Sequence, residues 1–250
     1  MRPANAVSGR SLQTGGRPES RPLLRVEALS KSFTIHQHDK QIVGCRDISF
    51  SVEPGQFIGI TGRSGSGKST ILKLIYRTYR PQEGRIHYDS SLLGPVDMTT
   101  LEERSVIALR RREIGYVSQF LHVIPRTTAR EIVEQAVLET GADGDYAAEQ
   151  AERILAHFEL ERSLWDSYPN TFSGGEKLRL NIAHAMVKHP RLLLLDEPTA
   201  SLDLHSKGRV RELIEGLKHD GTTMVGIFHD IEFMQGLCDR EYRMQRGAFA

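Results

Sequence analysis

Four short, mostly apolar runs, Gln56–Ile60, Ile114–Val117, Leu192–Leu195 and Met224–Phe228, read as strands buried on both faces, the pattern of a parallel sheet. Leu24–Leu29, Ile48–Val52 and Gly84–Tyr88 instead roughly alternate apolar and polar residues, which predicts a second group of strands with one solvated face. Between Thr127 and Lys188 the period lengthens to that of a helix. Ile132, Val133, Ala136 and Val137 make one apolar stripe there, and Ala151, Ile154, Leu155 and Phe158 make another. Gly141–Asp145 reads as the turn between them, and Tyr168-Pro169-Asn170 punctuates the approach to a further helix over Lys177–Met186. Strands interleaved with helices argue for one α/β domain over residues 23–250, with a helical part at about 120–188 inserted in it.

The first 22 residues are rich in Gly, Ser, Pro and Arg and almost without large apolar side chains, so a disordered tail is expected there. Across the chain 33 Lys and Arg stand against 32 Asp and Glu, a net +1, which gives no global field to draw nucleic acid or an acidic membrane surface. No apolar stretch approaches the roughly 20 residues that span a bilayer, so no direct membrane insertion is expected. Cys45 and Cys238 have no further cysteine at metal-ligand spacing, which argues against a disulfide framework or a zinc site and fits a reducing cytoplasm.

Chemistry concentrates in three segments. Gly62, Arg63, Ser64, Gly65, Ser66, Gly67, Lys68 and Ser69 fit the pattern G-x-x-x-x-G-K-[ST], directly after an apolar strand and directly before the helical pattern that opens at Thr70. Glycines let successive backbone N–H groups turn inward around phosphate oxygens, and the following helix N-terminus adds positive potential. Lys68 is placed to reach the β- and γ-phosphates and Ser69 to ligate Mg²⁺. Leu192–Leu195 then delivers Asp196 and Glu197 at a strand's C-terminal end, where α/β sheets bind ligands. Asp196 suits the magnesium shell, and Glu197 is positioned to polarise an attacking water as general base. Ser173, Gly174, Gly175 and Glu176 open a helix, read either as an ordinary capped terminus or as a second anion site.

The ordered set Phe33, Gly62 to Thr70, Gln119, Ser173 to Glu176, Leu192 to Glu197, Asp203 and His229 resembles the ATP-binding cassette ATPases. That resemblance implies an α/β P-loop NTPase (RecA-like) parallel-sheet core with an antiparallel β subdomain and an inserted α-helical subdomain. It also implies ATP and Mg²⁺ as cofactors, and two cassettes closing head to tail. Each ATP would lie between one subunit's phosphate loop and the other's Ser173 and Gly175, with Asp203 at the dimer seam. By the same resemblance Phe33 would stack on adenine, Gln119 would contact magnesium and water, and His229 would sense the γ-phosphate. Glu176 departs from a common Gln and adds negative charge near a nucleotide. His184 stands where Arg is common and would leave a charge sensitive to pH. His36 and His38, two apart without a third ligand, read as a solvated face.

Longer strings, among them Val117-Ser-Gln-Phe-Leu-His-Val-Ile-Pro-Arg126 and Val225-Gly-Ile-Phe-His-Asp230, resemble the PhnL family of cassette proteins from the bacterial carbon–phosphorus lyase system. This implies a role in phosphonate breakdown beside ribose 1-phosphonate 5-triphosphate synthesis, with displacement of adenine left to another subunit. The implied partners are a second cassette, a copy of itself or a PhnK-like protein, and the core lyase complex. The alternative is the nucleotide-binding subunit of a lipoprotein-release or macrolide-type exporter.

Overall fold

A computed structural model describes residues 21–35, 40–118, 125–200 and 202–250. In chain order the elements are β1 (Leu24–Ile35), β2 (Lys40–Val52), β3 (Phe57–Gly62), α1 (Lys68–Ile75), β4 (Glu83–Ser90), β5 (Gly94–Asp97), α2 (Glu103–Arg112) and β6 (Ile114–Val117). They continue with α3 (Ala129–Leu138), α4 (Gly144–His157), α5 (Gly174–Met186), β7 (Leu192–Asp196), α6 (Leu204–His219), β8 (Thr223–Phe228), α7 (Ile231–Met234), β9 (Arg240–Gln245) and β10 (Ala248–Phe249). The two expected groups of strands form two sheets. The antiparallel one has the order β2-β1-β4-β5, and the other, β10-β9-β3-β8-β7-β6, is parallel except for its β10 edge.

Side-chain alternation along the parallel strands divides the core in two. Phe57, Leu193, Leu195, Met224 and Phe228 point to one face, where they join Val133, Ala136, Ala151, Leu155, Leu180 and Ile214 from α3 to α6. Ile58, Ile60, Leu192, Leu194, Val225 and Ile227 point to the other. There they meet Ile71, Leu72, Leu74 and Ile75 of α1 and the inner residues of the antiparallel sheet, such as Leu24, Ile48, Phe50 and Ile86. The sheet is thus covered on both sides, as an apolar parallel sheet must be.

Some elements escape the hydrophobic pattern. In α2 only Val106 and Leu109 are buried, and in β9 only Met244 is, so neither carries a clear period. The expected turn at Gly141–Asp145 is shorter: α4 begins at Gly144, because the Asp143 carboxylate accepts from the Tyr146 N–H at 2.9 Å and caps the helix. α3 starts on a capping box, with Thr128 accepting from Glu131 N and Glu131 returning the bond to Thr128 N. No helix among the described residues is long and apolar enough to cross a membrane.

Candidate active site

The C-terminal ends of β3, β7 and β8 lie side by side, and each runs into one of the segments singled out in the sequence. After β3 the chain turns through Arg63, Ser64 and Gly65 at an exposed tip and returns to bury Ser66 and Lys68. Gly67 closes the loop at φ +100°, in contact with β2: a Cβ there would overlap the Gly44 carbonyl. α1 therefore opens on a residue that offers no side-chain cap, and its first turn carries no acid, leaving its N-terminal donors to a ligand. Lys68 is only 3% exposed, and its ammonium donates to the carbonyls of Gly62 at 2.9 Å and Arg63 at 3.1 Å. Burial lowers its pKa, an effect opposed by Glu197 and Asp196.

β7 delivers Asp196 into this loop. Ser69 Oγ donates to Asp196 Oδ1 at 2.8 Å, and the Tyr116 hydroxyl, from β6, donates to Oδ2 at 2.7 Å. Burial and the Asp196 charge push the Tyr116 phenol up, so it stays protonated and donates. Glu197 sits at φ +54°, a left-handed conformation that costs a non-glycine residue roughly 1–3 kcal/mol. Its N–H is tied to Ile227 O at 3.1 Å, and its own carbonyl accepts from Ala200 N at 3.2 Å. The strained turn aims its carboxylate between an imidazole and an ammonium: Oε1 is 2.6 Å from His229 Nε2 and 3.9 Å from Lys68 Nζ. Lys68, Ser69, Asp196, Glu197 and His229 thus converge on one spot.

These residues fit magnesium and a nucleoside triphosphate. The Ser66 hydroxyl is buried without a hydrogen-bond partner among the described residues, inside a loop of backbone donors. Ser69 and Asp196 offer only oxygen, as Mg²⁺ requires. Phe33 lies at the loop's flank: a Cβ on Gly44 would meet both its ring and Thr70, while Tyr79 packs edge-on against it at 5.1 Å. Gln119, the expected magnesium contact, and the His36/His38 pair lie outside the described residues. The segment before Gln119 is tied to α5 by Asn181, whose amide donates to Ser118 O at 2.9 Å.

Ser173, Gly174, Gly175 and Glu176 do not join this cluster. Among the described residues no hydrogen bond or ion pair links them, or Asp203, to the phosphate loop or to Asp196 and Glu197. They form a second exposed corner, where Asp203 caps α6 by accepting from Ser206 N at 2.8 Å and Gly175 faces Ser206. That hydrogen bond holds the Asp203 carboxyl below its usual range. Glu176 is engaged rather than free: its carboxylate accepts from Ser173 N at 2.7 Å, closing a capping box. The pH-sensitive charge expected at His184 is corrected, since burial, reinforced by Lys188, pushes its imidazole down to about 4 and keeps it neutral. Tyr116 and Asn181 were not singled out in the sequence. An aromatic strand residue next to an acid-bearing strand is the only signal that would have marked the first.

A family model described as ABC transporter matches residues 45–200. The chain is 33% identical over 216 residues to the lipoprotein-releasing system ATP-binding protein LolD of Idiomarina loihiensis, covering 86% of this chain and 91% of that protein. It is 35% identical over 208 residues to the macrolide export ATP-binding/permease protein MacB of Brucella abortus, covering 83% of this chain and 31% of that longer protein. Among solved structures, the dimeric post-hydrolysis state of the ATP-binding cassette MJ0796 bound to ADP and Pi is similar with a TM-score of 0.82 at 29% identity, over 90% of this chain and 96% of that one. With the loop, the two acids and the capped glycine corner in the places described, the chain belongs to the ABC transporter family, as one of its ATP-binding cassettes.

Proposed function

We propose that this chain is a magnesium-dependent ATPase subunit that works as one of two cassettes and drives a separate partner. The observation that carries the reading is the convergence of Lys68, Ser69, Asp196, Glu197 and His229 at the C-terminal ends of the parallel strands. Gly62 to Thr70 cradle the phosphates, with Lys68 leaving its two carbonyl partners for phosphate oxygens. Ser69, Asp196 and Gln119 hold the metal, which when bound neutralises charge on the phosphates. Glu197 takes the proton of the attacking water, His229 fixes the γ-phosphate end, and Phe33 stacks on the base. The separation of the glycine corner from this cluster supports a composite site, in which Ser173, Gly174, Gly175 and Glu176 of one subunit complete the site of the other and Asp203 lies at the seam. Residues 23–250 then act as one nucleotide-binding domain.

The names of the relatives support a permease of the lipoprotein-release or macrolide-export kind as the driven partner. A second reading is kept on one specific observation, the strings around Gln119 and His229, which resemble cassettes of the carbon–phosphorus lyase system and favour a soluble lyase complex with a PhnK-like cassette.

Lys68→Ala is expected to abolish ATP binding. Glu197→Gln should keep it while slowing hydrolysis by roughly 100-fold or more; wild-type turnover in Glu197→Gln sinks the assignment of the base. Tagged Glu197→Gln, captured with MgATP from phosphate-starved native cells, separates the partners. Recovery with a polytopic permease supports the exporter reading, and recovery with soluble lyase subunits supports the other.

A further inference from the structure

Each carboxylate oxygen of Asp196 has a donor of its own, Ser69 on Oδ1 and Tyr116 on Oδ2. The two donors differ in what they can do once the site is loaded. Ser69 is a metal ligand in the function proposed above, so its hydroxyl must turn from Oδ1 to the cation. The bond from Tyr116 can persist, and it is then the one described side-chain contact that still orients Asp196.

Tyr116 is built to hold still. It projects from β6, which pairs with β7 in the register Tyr116 to Leu194, two residues before Asp196. Its ring packs on Tyr76 with centroids 4.9 Å apart, and Tyr76 is held in turn by Arg110, which lies over its ring at 4.6 Å and donates to its carbonyl at 2.8 Å. A hydroxyl on a ring so fixed does not follow a rotating carboxylate. The carboxylate aligns to the hydroxyl.

From this geometry we propose that Tyr116 is a positioning residue for magnesium: its hydroxyl pins Oδ2 of Asp196 and so presents Oδ1 to the metal beside Ser69. The inference rests on the magnesium–ATP function proposed above. Phenylalanine would keep the ring contacts and lose the pin, leaving Asp196 free to rotate and the metal less well held.

The test is calorimetric titration of ATP into the full chain at a series of Mg²⁺ concentrations, in the Glu197→Gln background so that nucleotide is not consumed. Tyr116→Phe is expected to raise the half-saturating Mg²⁺ roughly ten-fold, at the low end for groups that orient metal ligands. Metal-free ATP affinity should match the parent, and the melting temperature should fall only by the lost hydrogen bond, about 2–4 °C per kcal/mol in a domain of this size. Tyr116→Leu, which removes the ring as well, should show the same metal defect and a still lower melting temperature than Tyr116→Phe. A two-fold or greater rise in Tyr116→Phe supports the proposal; a smaller rise, or a fall, overturns it. A parent whose ATP binding ignores Mg²⁺ overturns the underlying function instead.

Discussion

Gly67 is the position where the phosphate loop and the antiparallel sheet share space, so Gly67→Ala probes how tightly the loop is held. Its φ of +100° is the first obstacle, and a left-handed alanine costs about 1–2 kcal/mol. The second is steric: the new methyl would overlap the Gly44 carbonyl oxygen and stand 2.8 Å from its carbon. The oxygen sets the larger shift: the methyl would stand 1.6 Å from it, against about 3.3 Å for an ordinary carbon–oxygen contact, so the loop must retreat from β2 by roughly 1.5 Å. A shift of that size forfeits at least two backbone hydrogen bonds to phosphate, each worth about 1.5 kcal/mol, and so weakens ATP by more than about 100-fold. Gly141→Ala is the control, because Gly141, in the turn between α3 and α4 and outside the phosphate loop, also has a positive φ, +93°, but nothing lies within 4 Å of its added methyl. It should carry only the backbone cost, a melting temperature lower by about 2–8 °C in a domain of this size, and bind ATP nearly as wild type. Calorimetry with ATP and thermal melting of both variants decide the matter. The reasoning is refuted if Gly67→Ala binds ATP within ten-fold of wild type, or if Gly141→Ala loses affinity as severely.

Glu176→Ala should lower stability by about 1 kcal/mol through loss of the capping box, whereas Glu176→Gln should retain most of it; urea denaturation of the two variants compares them. His184 has a folded pKa of about 4 against an ordinary 6.5, so as pH falls through that window the unfolded chain takes up a proton that the folded chain refuses. Stability contributed by His184 is therefore full above pH 6.5 and lost towards pH 4, and His184→Gln should flatten that slope in urea midpoints measured at pH 7 and pH 5. Ser173→Arg should leave ATP binding to the isolated subunit intact and abolish turnover; an unchanged ATPase rate argues against a composite site.

The buried strands were legible because every residue of β7 and β8, and every residue of β3 but Gly62, is buried, which leaves a mostly apolar run in the sequence. The loop and the acid pair were legible for a related reason: each is attached to the end of such a run. α2 and β9 were not, since each buries too few residues to set a period. Glu176 and His184 show a different limit. Residue type alone gave Glu176 a charge and no partner, and His184 a titrating ring, but the first closes on the Ser173 N–H and the second is desolvated by its burial in α5. Tyr116 was hidden because its partner lies 80 residues away, brought close only by the β6–β7 register.

Enclosure of nucleotide between one cassette's phosphate loop and the Ser173 corner of a second, where that second cassette is a copy of this chain, is read out by sedimentation velocity of Glu197→Gln at micromolar concentration. The account predicts a monomer without nucleotide and with ADP, a dimer with MgATP, and no dimer when Ser173→Arg is added. A monomer that persists with MgATP demonstrably bound would contradict it.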